Sequence, residues 1–140
     1  MSARIMALDY GTKRIGLALS DPLKIFAKPY MVIPNSGLPD LLDTVAELIS
    51  RNEVELLVVG MPYAIEGGDT PKTIETREFV ADLKQKLGIK VITWDERYSS
   101  QEAEAELKRM GKSWQEARSL VDAMAAAMIL KSYMENVVHA

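Results

Sequence analysis

The sequence predicts an α/β fold: a mixed sheet, made of an antiparallel hairpin plus parallel strands, with helices on both faces. Two patterns carry this expectation. Short apolar runs, Ile5-Met6-Ala7-Leu8, Leu56-Leu57-Val58-Val59 and Val91-Ile92-Thr93-Trp94, read as strands separated by amphipathic helical stretches. A glycine-bearing turn, Gly11-Thr12-Lys13-Arg14, links the first of them to a second run, Gly16-Leu17-Ala18-Leu19-Ser20, as a hairpin.

The elements follow in order. Residues 4–9 are the first strand and 16–20 the returning one, and Tyr30-Met31-Val32-Ile33 reads as a third. Pro34-Asn35-Ser36-Gly37 breaks the chain. Leu38, Leu41, Leu42, Val45, Leu48 and Ile49 then recur at helical spacing, which predicts a helix over 38–52. Leu56–Gly60 is nearly all apolar, as a strand covered on both faces would be. Residues 61–71, with Pro62, Gly67, Gly68 and Pro71, read as a long loop of the kind that often carries function. Thr76, Phe79, Val80, Leu83 and Leu87 mark a second helix, with Gly88 as its cap. Residues 89–94 form a further strand. A helix from Ser99 or Ser100 to about Met110 and a last one over Trp114–Glu135 complete a βββαβαβαα order.

A chain of 140 residues suits one domain spanning 1–140. Its 48% hydrophobic content builds a core, and no stretch approaches the ~20 apolar residues of a membrane span. The N-terminus enters strand pattern after Ser2-Ala3-Arg4, with no signal-peptide pattern, and cysteine is absent. Both features fit a cytoplasmic protein. A net charge of −3 exerts no global pull on nucleic acid, so any such binding needs a local patch. Lys13 with Arg14, and Arg97 with Lys108, Arg109 and Lys112, are the two candidates; either also reads as solvated surface.

Three carboxylates carry most of the chemical information. Asp9 ends the first strand, just before a glycine turn where backbone approaches a phosphate closely, and it also reads as a cap on that turn. Asp122 lies on a helical stripe with Ala125, Ala126, Ile129, Leu130 and Tyr133, where a charge is costly unless paired or bound to metal. Glu96 sits in Asp95-Glu96-Arg97 at a strand end; because neighbouring strand residues face opposite ways, only one of Asp95 and Glu96 enters a site. Arg97 is placed to pair with a carboxylate or with phosphate. Carboxylates converging from separate rigid elements are what a metal site for phosphodiester chemistry needs. Gly11 and Gly16 have the outer spacing of a P-loop, but Leu17 stands where that motif requires lysine. His139, the only histidine, reads as tail.

Taken together, Asp9-Tyr10-Gly11-Thr12-Lys13-Arg14-Ile15-Gly16-Leu17-Ala18 with Ser20-Asp21, Val58-Val59-Gly60-Met61-Pro62 with Gly67, Asp95-Glu96-Arg97-Tyr98-Ser99-Ser100, and Asp122-Ala123-Met124-Ala125-Ala126 with Ile129-Leu130 resemble the YqgF family over nearly the whole chain. That family is RuvC-like and described both as pre-16S rRNA nucleases and as Holliday-junction-resolvase-like. The resemblance implies a ribonuclease-H-like fold and a cytoplasmic nuclease that matures the 5′ end of 16S rRNA in ribosome biogenesis. It implies Asp9, Glu96 and Asp122 as a catalytic, metal-binding triad for Mg²⁺ or Mn²⁺. Lys13, Arg14 and Arg97 are then expected on the phosphates of pre-rRNA or of branched DNA. One departure stands out: the family often has a lysine pair shortly before the final Asp, where this chain reads Gly111-Lys112-Ser113-Trp114-Gln115-Glu116-Ala117-Arg118. Two rivals are a module that keeps the fold and binds RNA or the ribosome without cleaving, and the actin and sugar-kinase superfamily. The latter's first phosphate loop Asp9-Tyr10-Gly11-Thr12 also resembles.

Overall fold

A computed structural model of the chain describes residues 3–98 and 114–139. The strands β1 (Arg4–Asp9), β2 (Arg14–Ser20), β3 (Ala27–Pro34), β4 (Val54–Met61) and β5 (Lys90–Asp95) form one sheet in the order β3-β2-β1-β4-β5. β1 runs antiparallel to β2 and parallel to β4, and β4 runs parallel to β5. The expected mixed sheet is therefore present, with a third strand longer than the apolar run 30–33. Pairing with β2 recruits Ala27, Lys28 and Pro29 to it, residues whose own pattern is not strand-like.

Side-chain alternation splits this sheet into two cores. Met6, Leu8, Ile15, Leu17, Leu57 and Val59 face α1 (Asp40–Arg51) and α2 (Pro71–Lys86). Ile5, Ala7, Ala18 and Val58 face α3 (Trp114–Tyr133), which meets them with Ala126, Ala127, Ile129, Leu130 and Tyr133. α1 falls within the predicted 38–52. α2 begins where Thr70 and Thr73 form a reciprocal capping box and Pro71 takes the first helical position. It ends at Lys86, but Gly88 is not the left-handed cap expected of it: Leu87 turns the chain out in an extended conformation, and the left-handed glycines are Gly37 and Gly67. The helix expected over 99–110 lies outside the described residues, as do Lys108, Arg109 and Lys112.

α3 crosses β1, β2 and β3 on a face paved with small residues. A Cβ built on Gly16 would lie 1.9 Å from the carbonyl oxygen of Asp122, so β2 and α3 touch backbone to backbone there. Trp94 fastens the opposite end: its Nε1–H donates to Ser132 Oγ at 3.0 Å, and its ring meets Tyr133 edge-on at 5.6 Å. The stripe read from sequence is right at Ala126, Ile129, Leu130 and Tyr133, all buried, but Ala125 lies at its margin. Its true width includes Ala123, Met124, Ala127 and Met128, because the helix packs against β1, β2 and β3 together. Among the described residues, no helix is long and apolar enough to cross a membrane. Ala126→Leu, at a position with 0% exposure, is expected to cost about 1–3 kcal/mol through overpacking. Chemical denaturation checks this, and a midpoint equal to that of the parent chain would show the seam to be loose.

Candidate active site

The parallel strands β1, β4 and β5 end at one edge of the sheet, and their register sets the geometry. Asp9 is opposite Gly16 on β2, one step past the Leu8–Val59 pair with β4. It shares the α3-facing parity of Ile5 and Ala7. Glu96 follows β5 with the parity of Ile92 and Trp94, which also pack on the α3 side. β4 stands between β1 and β5, so a side chain there would normally separate the two acids. The residue at that point is Gly60. A Cβ on it would come within 2.7 Å of Glu96 Cγ, 2.8 Å of Glu96 Oε1 and 2.5 Å of Ile129 Cδ1. Glu96 thus lies across the bare backbone of β4 and hydrogen-bonds Asp9.

Two carboxylates this close in a half-buried place cannot both stay ionised. Burial is the main cause that pushes Glu96 up to about 9, and the hydrogen bond it donates to Asp9 and the charge of Asp9 add to it. Asp9 is also raised by burial, while the hydrogen bond from Glu96 and the charge of Lys72 pull it back and the charge of Asp122 raises it. The proton of the pair therefore rests on Glu96 and points at the Asp9 carboxylate.

Asp122 stands at the mouth of the same place but does not join the pair. Its carboxylate accepts from Arg14 Nε–H at 2.8 Å. Arg14 opens β2, just after the Gly11–Arg14 turn, and Asn35 secures that turn: its side chain donates to Gly11 O at 2.9 Å and its backbone N–H to Lys13 O at 2.9 Å. Gly11, Thr12, Lys13, Arg14, Pro71, Lys72, Glu75 and Asp122 line a cleft of about 460 Å³.

Asp95 faces away from the pair. It accepts from the Arg97 side chain, through Nε–H shared between both its oxygens at 3.0 Å and through Nη2–H at 2.5 Å, and from the Arg97 backbone N–H at 3.0 Å, and these bonds hold its carboxyl below the usual carboxylate range. Arg97 also lies 5.6 Å over the Tyr63 ring and donates to Ile65 O at 3.4 Å. It therefore takes the carboxylate alternative, bracing the 62–70 loop. That loop is ordered on its other side by a bidentate Arg77–Asp69 pair at 2.8 and 3.0 Å.

The donor set fits a hard divalent cation, which prefers carboxylate oxygens. Among the described residues, though, no three acidic or imidazole groups stand together closely enough to hold an ion. Asp9 and Glu96 are joined by their proton, and Asp122 by Arg14. Completing the set requires that proton to leave and Asp122 to turn from Arg14.

Lys72 is the site residue that sequence reasoning passed over. It sits in the first turn of α2, where no acidic residue balances it, and its charge acts on both Asp9 and Glu96. A lysine at the positive end of a helix is locally unfavourable. Directly after a glycine-rich loop, that misplacement was the available signal.

The RuvX family model, described as Holliday junction resolvase, matches residues 3–136. The chain belongs to that family. The YqgF resemblance read from the motifs names the same family. The chain is 40% identical over 132 residues to a protein of Syntrophomonas wolfei, covering 94% of each, and 38% identical over 132 residues to one of Koribacter versatilis, covering 94% of this chain and 86% of that one. Both carry the name "Putative pre-16S rRNA nuclease". Thermus thermophilus RuvC, solved with a Holliday junction, superposes with a TM-score of 0.61 at 18% identity, covering 96% of each chain. Fowlpox virus resolvase, also solved with a junction, gives 0.63 at 14%, covering 96% of this chain and 99% of that one. The fold of this RuvX-family chain is thus the ribonuclease-H-like fold of those resolvases.

The acid pair makes stability depend on pH. A folded value raised above the ordinary one contributes stability that is complete below the unfolded value, 4.5 for Glu96, and lost as pH rises through about 9. Asp9 adds in the same direction. The thermal midpoint of metal-free protein is expected to fall as pH climbs through that window, and Glu96→Gln to flatten the fall. An equally steep fall in Glu96→Gln would place the titrating group elsewhere. Gly60→Ala should flatten it as well, by displacing Glu96, and should also cost about 1–3 kcal/mol of stability from overpacking, read by denaturation at pH near 7.

Proposed function

We propose that the chain is a metal-dependent nuclease that hydrolyses phosphodiester bonds, and that its substrate is the 5′ end of pre-16S rRNA. The observation that carries this reading is the Asp9–Glu96 pair. Two carboxyls on the ends of separate strands are forced together over Gly60 at a place where their repulsion is costly, beside a third carboxylate and a basic turn. A purely structural pair would not call for the neighbouring cleft that Lys13, Arg14 and Lys72 line together with Asp122.

In this reading Asp9, Glu96 and Asp122 would hold Mg²⁺ or Mn²⁺, which would supply Lewis acidity and lower the pKa of water. The protein side of the chemistry belongs to the chain's own groups. Loss of the shared proton converts Asp9 and Glu96 into paired anions. Arg14 holds Asp122, and a phosphate that competed for its guanidinium would free that carboxylate to join Asp9 and Glu96. Lys13, beside Arg14 on the turn, orients the backbone of the substrate. Arg97 reaches a phosphate only at the expense of Asp95. The chain acts in the cytoplasm on nascent ribosomal RNA as a single domain.

The names of the sequence relatives support the rRNA substrate. The description of the family supports a second reading, a resolvase-like endonuclease on four-way DNA junctions. Precursor rRNA and a four-way junction, each assayed with and without Mn²⁺, separate the two. Asp9→Asn, Glu96→Gln and Asp122→Asn are each expected to lower cleavage by orders of magnitude with the fold intact. Mn²⁺ is expected to raise the thermal midpoint and to release about one proton per site near pH 7, seen by calorimetry in buffers of different ionisation enthalpy. The triple variant should show neither effect. A Mn²⁺ shift that survives in it would put the metal elsewhere and end this reading.

A further inference from the structure

We infer that Lys72 is a phosphate-contacting residue of the active site, gripping a non-bridging oxygen of the phosphate being cleaved. The inference rests on the nuclease reading and adds to it a residue from α2, an element that carries none of the acids.

The first observation is rigidity. Lys72 is the second residue of α2, and the start of that helix is fixed on three sides. Thr70 and Thr73 cap each other, Thr73 Oγ1–H donates to Pro62 O at 2.7 Å, and Tyr10 O–H donates to Glu75 Oε1 at 3.0 Å. Tyr10 also stacks on Phe79 at 4.8 Å, so the first turns of α2 are bound to the residue that follows Asp9. The backbone of Lys72 is therefore held in place relative to the acid pair.

The second observation is position. Lys72 lines the cleft whose other walls are the Gly11–Arg14 turn and Asp122. Its charge acts on Asp9 and on Glu96 together, so the ammonium lies within electrostatic reach of both. Among the described residues it forms no ion pair within salt-bridge distance, whereas Arg77, one turn further along, is committed to Asp69. Lys13 and Arg14 stand across the cleft. An anion entering it would meet Lys72 on one wall and Lys13 and Arg14 on another, with Glu75 and Asp122 as the acids that line it. A nucleic-acid phosphate is the anion this arrangement would accept. Lysine suits such a role because its compact ammonium, on a flexible stem, follows the oxygen as charge grows on it.

The third observation is cost. Any cation in the first turn of a helix opposes the helix dipole, and the first turn of α2 has no acid to offset it. Folding alone gives no reason for lysine here.

The test uses the full chain and three variants: Lys72→Met, Lys72→Arg, and Lys84→Met as a control at the far end of α2. Cleavage of precursor rRNA and of a four-way junction is measured with Mn²⁺. Binding of a metal-free, uncleaved single strand and junction is measured across a salt series. Lys72→Met is expected to lower kcat by about 10-fold or more with an unchanged thermal midpoint, and to reduce the slope of log affinity against log salt by about 1. Lys72→Arg should recover the slope and most of kcat, and Lys84→Met should change neither. A Lys72→Met chain that matches wild type in kcat and salt slope overturns the inference while leaving the nuclease reading intact. If wild type cleaves neither substrate, the nuclease reading fails and the salt slopes alone decide Lys72: an unchanged slope overturns it, and a slope reduced by about 1 sustains it as a phosphate ligand.

Discussion

Close approach of main chains, permitted by missing side chains, is the constraint on which the rest of this molecule depends. α3 lies so near β2 that Gly16 and the Asp122 carbonyl exclude even a methyl group. Gly60 leaves the gap through which Glu96 reaches Asp9. Ala7, Ala18, Ala126 and Ala127 extend the same seam. Larger residues along it would lift α3 from the sheet and carry Asp122 away from the strand ends. The acids are brought together by what their neighbours lack, with little help from any partner of their own.

That closeness creates an electrostatic difficulty, which the chain's own groups meet in three ways. A proton joins Asp9 to Glu96. Arg14, in direct contact at 2.8 Å, neutralises Asp122. Lys72 offsets the charge of the pair from a distance. Each arrangement is one that a cation or a phosphate would replace, so binding of either exchanges existing interactions for new ones. The net gain is small, and affinity for metal alone should be modest. Arg97 plays a different part. Bound to Asp95 and lying over Tyr63, it fixes the end of β5 and hence the point from which Glu96 departs.

Much of this was legible in the chain. Alternation and helical spacing gave the strand and helix order, because both follow from local periodicity under a common burial requirement. Asp9 and Asp122 stood out because a charge ended one apolar run and interrupted another. The choice between Asp95 and Glu96 followed from parity only once the α3 side of β5 was known, since Ile92 and Trp94 differ little from Val91 and Thr93 in sequence. The left-handed cap expected at Gly88 was absent because the turn from α2 into β5 is made by extended backbone at Leu87. The tail residue His139 proves to be docked, its ring at 2.6 Å from Lys24 O.

What the sequence determined by itself was the order of the described strands and helices and the prominence of Asp9 and Asp122, both of which are written in near-neighbour patterns and in the energetic oddity of a charge among apolar residues. Tertiary structure alone decided how those acids relate. The order β3-β2-β1-β4-β5 puts β4 between Asp9 and Glu96, and only that neighbourhood gives Gly60 its meaning. The Arg14–Asp122 bond joins residues 108 positions apart, and the charge of Lys72 acts on the pair from a helix docked through Tyr10 and Thr73. Such relations depend on strand order and packing distance, which no local pattern encodes.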